Sequence, residues 1–212
     1  MKKVFLFAFA TMIAASALAQ TSSTSTLKIG LKGGVNLPKY HFSGSDDETK
    51  STTNFNVTAF LDAPLASHFS VQPGISLQGK GAKFYDGNNI QVEQNALWIE
   101  VPVNFVGHLP LSTVGGLYLG AGPYLGFGVA GQNKTTVGSV TNKDDISFGN
   151  DADNSLKGTD FGVNFIGGFE MNNGITLGAG YGLGLTDLTP KARSDDSKVT
   201  NRVLSFSIGF QF

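Results

Sequence analysis

The feature that most constrains this chain is a period-two pattern whose polar face is also its glycine face. In "GITLGAGYGLGL" (174–185), Gly178, Gly180, Gly182 and Gly184 alternate with Ala179, Tyr181, Leu183 and Leu185. Glycine costs a strand backbone entropy and gives it no side chain to pack. Seven further stretches alternate in the same way. Their apolar faces are Leu27, Ile29, Leu31, Val35; Phe55, Val57, Ala59, Leu61; Phe69, Val71, Ile75, Leu77; Leu97, Ile99, Val101, Val103, Phe105; Leu117, Leu119, Ala121, Leu125, Phe127; Phe161, Val163, Phe165, Phe169; and Leu204, Phe206, Ile208, Phe210, Phe212. Strands of about ten residues are long enough to cross a bilayer at a tilt.

The opposite faces decide between a soluble sheet and a membrane barrel. They carry Lys28, Gly30, Lys32, Gly34; Asn56, Thr58, Phe60, Asp62; Ser70, Gln72, Gly74, Ser76, Lys80; Trp98, Glu100, Asn104; Tyr118, Gly120, Gly122, Tyr124; and Gly162, Asn164, Gly168, Glu170. A water-facing surface has no use for so much glycine. The crowded interior of a narrow barrel does, because small residues leave room for large ones across the lumen. The oily faces then touch lipid, and Phe60, Trp98, Tyr118 and Tyr124 fill the lumen. Lipid cannot satisfy a free strand edge, so the eight strands close on themselves. The expected fold is all-β: an eight-stranded antiparallel up-and-down transmembrane barrel.

Segment lengths give the orientation. The connections Asp62–His68, Gly107–Gly115 and Asn172–Gly174 are short, whereas Pro38–Thr53, Phe84–Gln94, Gly131–Gly158 and Thr189–Val199 are long and polar. Outer-membrane barrels keep short turns in the periplasm and long loops outside. The first residues agree with export: Lys2 and Lys3, an apolar run from Val4, and Ala17-Leu18-Ala19 form a signal peptide over residues 1–19, leaving 20–212 as one barrel domain. No cysteine follows the cleavage site, which excludes a lipoprotein and disulfide chemistry. Without Lys2 and Lys3, 13 basic residues (15 less two) face 16 acidic ones, a balance of −3 that gives no reason to expect nucleic acid as a partner.

Three bases (Lys28, Lys32, Lys80) and three acids (Asp62, Glu100, Glu170) point inward. They read as a structural network sealing the lumen, since unpaired buried charge is costly; a polar ion path is the alternative. The loops carry Asp46-Asp47-Glu48, Asp144-Asp145, Asp151-x-Asp153 and Asp195-Asp196. A calcium loop would need a glycine and a closing glutamate that the Asp151 stretch lacks, so these read as solvated charge, with a divalent bridge to lipopolysaccharide phosphates as the alternative. His41 falls on the outer side, His68 and His108 on the periplasmic side. No pair has metal-ligand spacing, and serines near His41 do not by themselves make a triad. The glycine run is not a dinucleotide fingerprint, because no helix follows it. No catalytic, cofactor or metal residue is assigned. Pro73 and Pro123 are expected on the lipid side and Pro102 on the lumen side, each with a local bulge.

"ALWIEVPVNF" (96–105), "LYLGAGPYLGFG" (117–128), "TDFGVNFIGGFE" (159–170) and the closing phenylalanine resemble the PorT-like outer-membrane β-barrel family of Bacteroidetes. The resemblance implies an eight-stranded barrel whose last strand, ending in Phe212, addresses the barrel-insertion machinery. The expected role is a monomeric, non-enzymatic outer-membrane protein, structural or binding through its outer loops, above all Gly131–Gly158. Its expected partners are outer-membrane lipid, lipopolysaccharide and an unknown envelope protein, and it needs no cofactor. The alternatives are a small transporter or pore, a lipid-modifying enzyme built around His41, and an accessory of a secretion machine.

Overall fold

A computed structural model describes residues 26–43, 49–87, 89–111, 113–193 and 198–212. The leader reading of 1–19, Asp46–Glu48 and Asp195–Asp196 lie outside the described residues. The alternating stretches all become strands: β1 (Lys28–Phe42), β2 (Asn54–Ala66), β3 (Phe69–Asp86), β4 (Ile90–Pro110), β5 (Gly115–Val137), β6 (Val140–Asp145), β7 (Thr159–Met171), β8 (Ile175–Gly184) and β9 (Val199–Gln211). Every strand pairing is antiparallel, and all join chain neighbours except that β7 passes over β6 to pair with β5 and that the first strand meets the last. β1 pairs with β9 from Gly30↔Gln211 to Phe42↔Val199, which closes the ring.

Eight of these nine strands form the barrel. The ninth, β6, lies inside the segment that the sequence pattern assigns to a loop, Gly131–Gly158. It pairs with the far end of β5 from Gln132↔Asp145 to Val137↔Val140. Gly138, at φ 60, makes the tight reversal between the two strands. Phe84–Gln94 also turns out largely extended, and Pro38–Phe42 of the Pro38–Thr53 connection continues β1, because β3, β4 and β1 run on past the lipid-facing band. β4 and β5 reach 21 and 23 residues, about twice what a bilayer crossing requires. Above the membrane the oily alternation is no longer needed, so the pattern fades while the hydrogen-bonded ladder continues.

The expected bulges at Pro73, Pro102 and Pro123 are absent. Pairing lapses for two positions beside the prolines and resumes in the same register, from Pro73↔Val103 to Ser76↔Glu100 and from Pro102↔Tyr124 to Phe105↔Ala121. A missing donor thus costs ladder bonds without inserting a residue. The register shifts fall elsewhere: between Pro64 and Ala66, between Lys83 and Tyr85, and at Val129, which is skipped between Trp98↔Gly128 and Leu97↔Ala130.

The two faces have inverted polarity. Leu119 is 73% exposed, Ile75 and Ile208 each 61%, while Asn36, Thr58, Ser76, Lys80, Glu100 and Asp160 are buried. In water this arrangement would leave a continuous apolar band unburied, far beyond what a soluble monomer tolerates; in lipid it is the stable one. Glycine makes the lumen fit. A Cβ on Gly30 would lie 2.2 Å from the Phe60 ring, on Gly178 2.3 Å from the Tyr118 hydroxyl, and on Gly162 2.6 Å from the Tyr124 ring. Three of the large inward side chains therefore lie directly on glycine, and only glycine leaves them space.

Candidate functional site

The inward residues come together in distinct groups along the barrel. Toward the long-loop end, Lys80 lies 2.5 Å from Glu100 and 2.8 Å from Asp160. Tyr124 and Asn201 both donate to Asp160 Oδ2, at 3.1 and 2.9 Å. The Lys80 ammonium also sits 4.5 Å from the Tyr124 ring centre and 5.6 Å from that of Trp98. One ammonium thus serves two carboxylates inside a buried shell, where each charge requires its partners. Asp160 is the residue that sequence reasoning missed. It shares the inward parity of Gly162 and Asn164, so alternation alone could have found it; it escaped because it stands at the very start of its strand.

The middle of the lumen is packed with neutral polar groups. Asn36 donates to Gln78 at 2.7 Å and accepts from Asn56 at 2.8 Å, and the Thr58 and Ser76 hydroxyls lie 2.6 Å apart. Lys32 rests 5.4 Å from the Phe60 ring centre, and Tyr118 lies along the wall over Gly168 and Gly178 of the next two strands. A cavity of about 70 Å³ lies between these residues and the Lys80 group.

At the short-turn end, Lys28 pairs with Glu170 at 3.0 Å, and Gln72 donates to Asp62 at 3.2 Å. The six inward charges therefore do not make one network. Lys80 and Glu100 meet near the outer end, and Lys28 and Glu170 meet at the mouth. Among the described residues, no opposite charge lies within 4 Å of Lys32 or Asp62. The mouth opens into a vestibule of about 980 Å³.

Above the Lys80 group lies an apolar core that the sequence did not reveal. Tyr40, Ala82, Ala96 and Trp98 from the barrel wall pack with Ile146 and Leu156 from the β6–β7 connection and Leu188 from the β8–β9 connection. Phe148 meets Trp98 edge-on at 5.5 Å. Trp98 is thus a residue of this outer plug rather than a filler of the mid-lumen. The loop residues fold inward because they have apolar side chains to bury and a ring of apolar wall to bury them against. No strand-like period marks them, which is why the sequence showed only a polar loop.

A polar clamp holds the plug in place. The backbone N–H groups of Thr189 and Val199 donate to Asp187 Oδ1 at 3.0 and 3.1 Å, and Lys157 Nζ donates to the Asp187 carbonyl at 2.8 Å. Partial burial disfavours the Asp187 carboxylate, but these N–H groups and the Lys157 ammonium outweigh it and hold its pKa below the usual range. The N–H groups of Leu188 and Lys157 donate to the carbonyls of Val199 and Leu188, completing the tie between the two connections.

The remaining candidates stay apart. Asp144 and Asp145 are exposed on β6, and Asp151 and Asp153 are exposed beyond it. Among the described residues no three histidine or acidic side chains gather in a metal-binding group. His41 lies in β1 opposite Thr200, and the nearby Ser43 hydroxyl accepts a hydrogen bond from the Lys198 N–H at 2.9 Å.

Residues 18–189 match the family model described as outer membrane protein beta-barrel domain. The chain belongs to that outer-membrane β-barrel family. Its place is the outer membrane, with the apolar band of the barrel against lipid. No curated protein sequence matches it. Among solved structures, this outer-membrane barrel is similar to the attachment invasion locus protein Ail of Yersinia pestis, with 13% identity, 89% of this chain and 100% of that one covered and a TM-score of 0.46. Similar too are the Neisserial surface protein A (12% identity, 89% and 100% covered, TM-score 0.45) and OprG of Pseudomonas aeruginosa (14%, 87% and 95%, 0.45).

Proposed function

We propose that this barrel is a closed outer-membrane anchor that presents a rigid sheet outside the cell for binding, and that it does not conduct. The observation that carries this reading is the outer plug: Trp98, Tyr40 and Leu188 are each at most 1% exposed and lie over the fully buried Lys80–Glu100–Asp160 group. An ion crossing here would have to part an apolar core and a buried ion-pair cluster in succession, and each carries a large desolvation penalty.

The binding surface is the continuation of β3, β4, β5 and β6 beyond the membrane. β6 is exposed along its whole length, and Phe84, Tyr85, Ile90, Val137 and Val140 place apolar side chains in water near the tips. Exposed apolar groups on a hydrogen-bonded sheet suit contact with an envelope protein or with the sugar and lipid of lipopolysaccharide. A cell-envelope assembly is the partner class that this reading puts to the test, with insertion through the strand that ends in Phe212.

Planar-bilayer recording of the purified protein tests the closed lumen. The wild type should show no steady conductance steps, and Trp98→Ala combined with Leu188→Ala should introduce them. Steady conductance by the wild type would overturn the reading in favour of a small pore. A photo-crosslinker at Val140, with one at Leu119 as the lipid-facing control, tests the binding surface in intact cells: protein or lipopolysaccharide adducts specific to Val140 support it.

A further inference from the structure

The vestibule at the short-turn end holds three side chains in the order that nucleophilic catalysis uses. Ser70 Oγ lies 2.9 Å from His108 Nε2. His108 Nδ1 lies 3.7 Å from Glu170 Oε2. Glu170 is fixed in turn through its other oxygen, Oε1, which is 3.0 Å from Lys28 Nζ. The three residues come from β3, β4 and β7, and inward parity on each strand points them into the same space. His108 and Glu170 approach each other across β5, where Gly116, paired with Pro110 on one side and Glu170 on the other, has no side chain to intervene.

We infer that Ser70, His108 and Glu170 form a hydrolytic centre for carboxylic esters entering from the periplasm, an activity additional to the anchoring role and independent of it. In the tautomer that catalysis requires, the Ser70 hydroxyl donates to Nε2 and the imidazole proton is on Nδ1, the nitrogen that faces Glu170. This is the tautomer in which Nε2 can accept a proton. Ser70 Oγ attacks the ester carbonyl and its proton passes to His108 Nε2. The carbonyl–alkoxy bond breaks as the imidazolium returns that proton to the departing alcohol. Water, deprotonated by the same nitrogen, then releases the carboxylic acid and restores the Ser70 hydroxyl. Glu170 is the positioning residue, orienting the imidazole and balancing its transient charge. All three residues line the vestibule of about 980 Å³, room for a small ester. Its wall includes Lys28, Asp62 and Asn172, which give the polar part of an ester hydrogen-bonding partners.

The experiment uses the purified, detergent-folded protein, a fluorophosphonate probe and p-nitrophenyl butyrate. Folding is verified for every variant by heat-modifiable electrophoretic mobility and by the fluorescence of the single tryptophan, Trp98, which sits at the opposite end of the barrel. Peptide mapping should place the probe on Ser70 in the folded wild type and not after heat unfolding; this arm needs no variant. Ester hydrolysis should fall at least about 100-fold in Ser70→Ala and in His108→Gln, as expected for loss of a nucleophile or its base. Glu170→Gln should lower kcat with KM little changed, and Glu170→Asp should restore part of kcat. Absence of labelling, labelling spread over other serines, or equal hydrolysis by wild type and Ser70→Ala would overturn the assignment.

Discussion

Gly178 and Tyr118 show at the scale of single residues why the glycine face turns inward. The hydroxyl of Tyr118 occupies the place where a Cβ on residue 178 would stand, 2.3 Å away, while the other neighbours of that Cβ are at 3.4 Å or beyond. Gly178→Ala should therefore lower stability by about 1–3 kcal/mol, the usual cost of overpacking. In a Tyr118→Phe background the same substitution should cost at least about 0.5 kcal/mol less, a coupling within the range for residues in contact; urea titration of folding into vesicles would measure both. The buried charges give a second test. Lys80→Met leaves Glu100 and Asp160 facing each other without an ammonium, which should cost about 3–5 kcal/mol. Replacing all three by Met, Gln and Asn should recover most of that loss in the same titration. Parity revealed Lys80 and Glu100 in the sequence, whereas their partner Asp160 stands where a strand begins, the place where alternation has only one neighbour to define it.

Among the elements, the outer plug depends on the β6–β7 and β8–β9 connections more than on any strand. Leu188→Ala removes its central loop side chain and should cost about 2–5 kcal/mol of local packing. The readout is trypsin cleavage after Lys157, slow in the wild type and fast in the variant. Acid should have a related effect through Asp187. Its carboxyl is held below its ordinary pKa in the folded loop, so the stability it contributes is complete above the ordinary carboxylate range and is lost as pH falls through the depressed value. Amide exchange at Thr189 and Val199, after correction for intrinsic rate, should accelerate on acidification in the wild type and be fast at all pH values in Asp187→Ala. Strands were legible in the sequence wherever lipid dictated their outer face, as in Leu204, Phe206, Ile208 and Phe210. The extensions of β3, β4 and β5, and all of β6, were not: outside the membrane both faces meet water, and nothing enforces an oily period. The plug was hidden for a related reason, since Ile146, Leu156 and Leu188 are single apolar residues separated by polar ones, and only the closed ring brings them together.

For the whole molecule, every feature depends on the orientation of the faces. With apolar side chains outward, lipid satisfies the band, the closed ladder leaves no edge in hydrocarbon, and the lumen must fill itself with the Lys80 group, the amide layer and the plug. Charge on the outer face should then be tolerated poorly: Phe206→Lys, near the middle of β9 and paired with Ala179 near the middle of β8, should cost about 2–4 kcal/mol in vesicles, whereas Ser207→Ala, facing inward, should be nearly neutral in the same folding titration. The most direct measurement is a nitroxide scan along β9, one cysteine at a time from position 203 to 210, in a chain that has no cysteine of its own. In lipid vesicles, oxygen accessibility should alternate with period two, high at Leu204, Phe206, Ile208 and Phe210 and low at Val203, Ser205, Ser207 and Gly209. The opposite phase, or no alternation at all, would contradict the account.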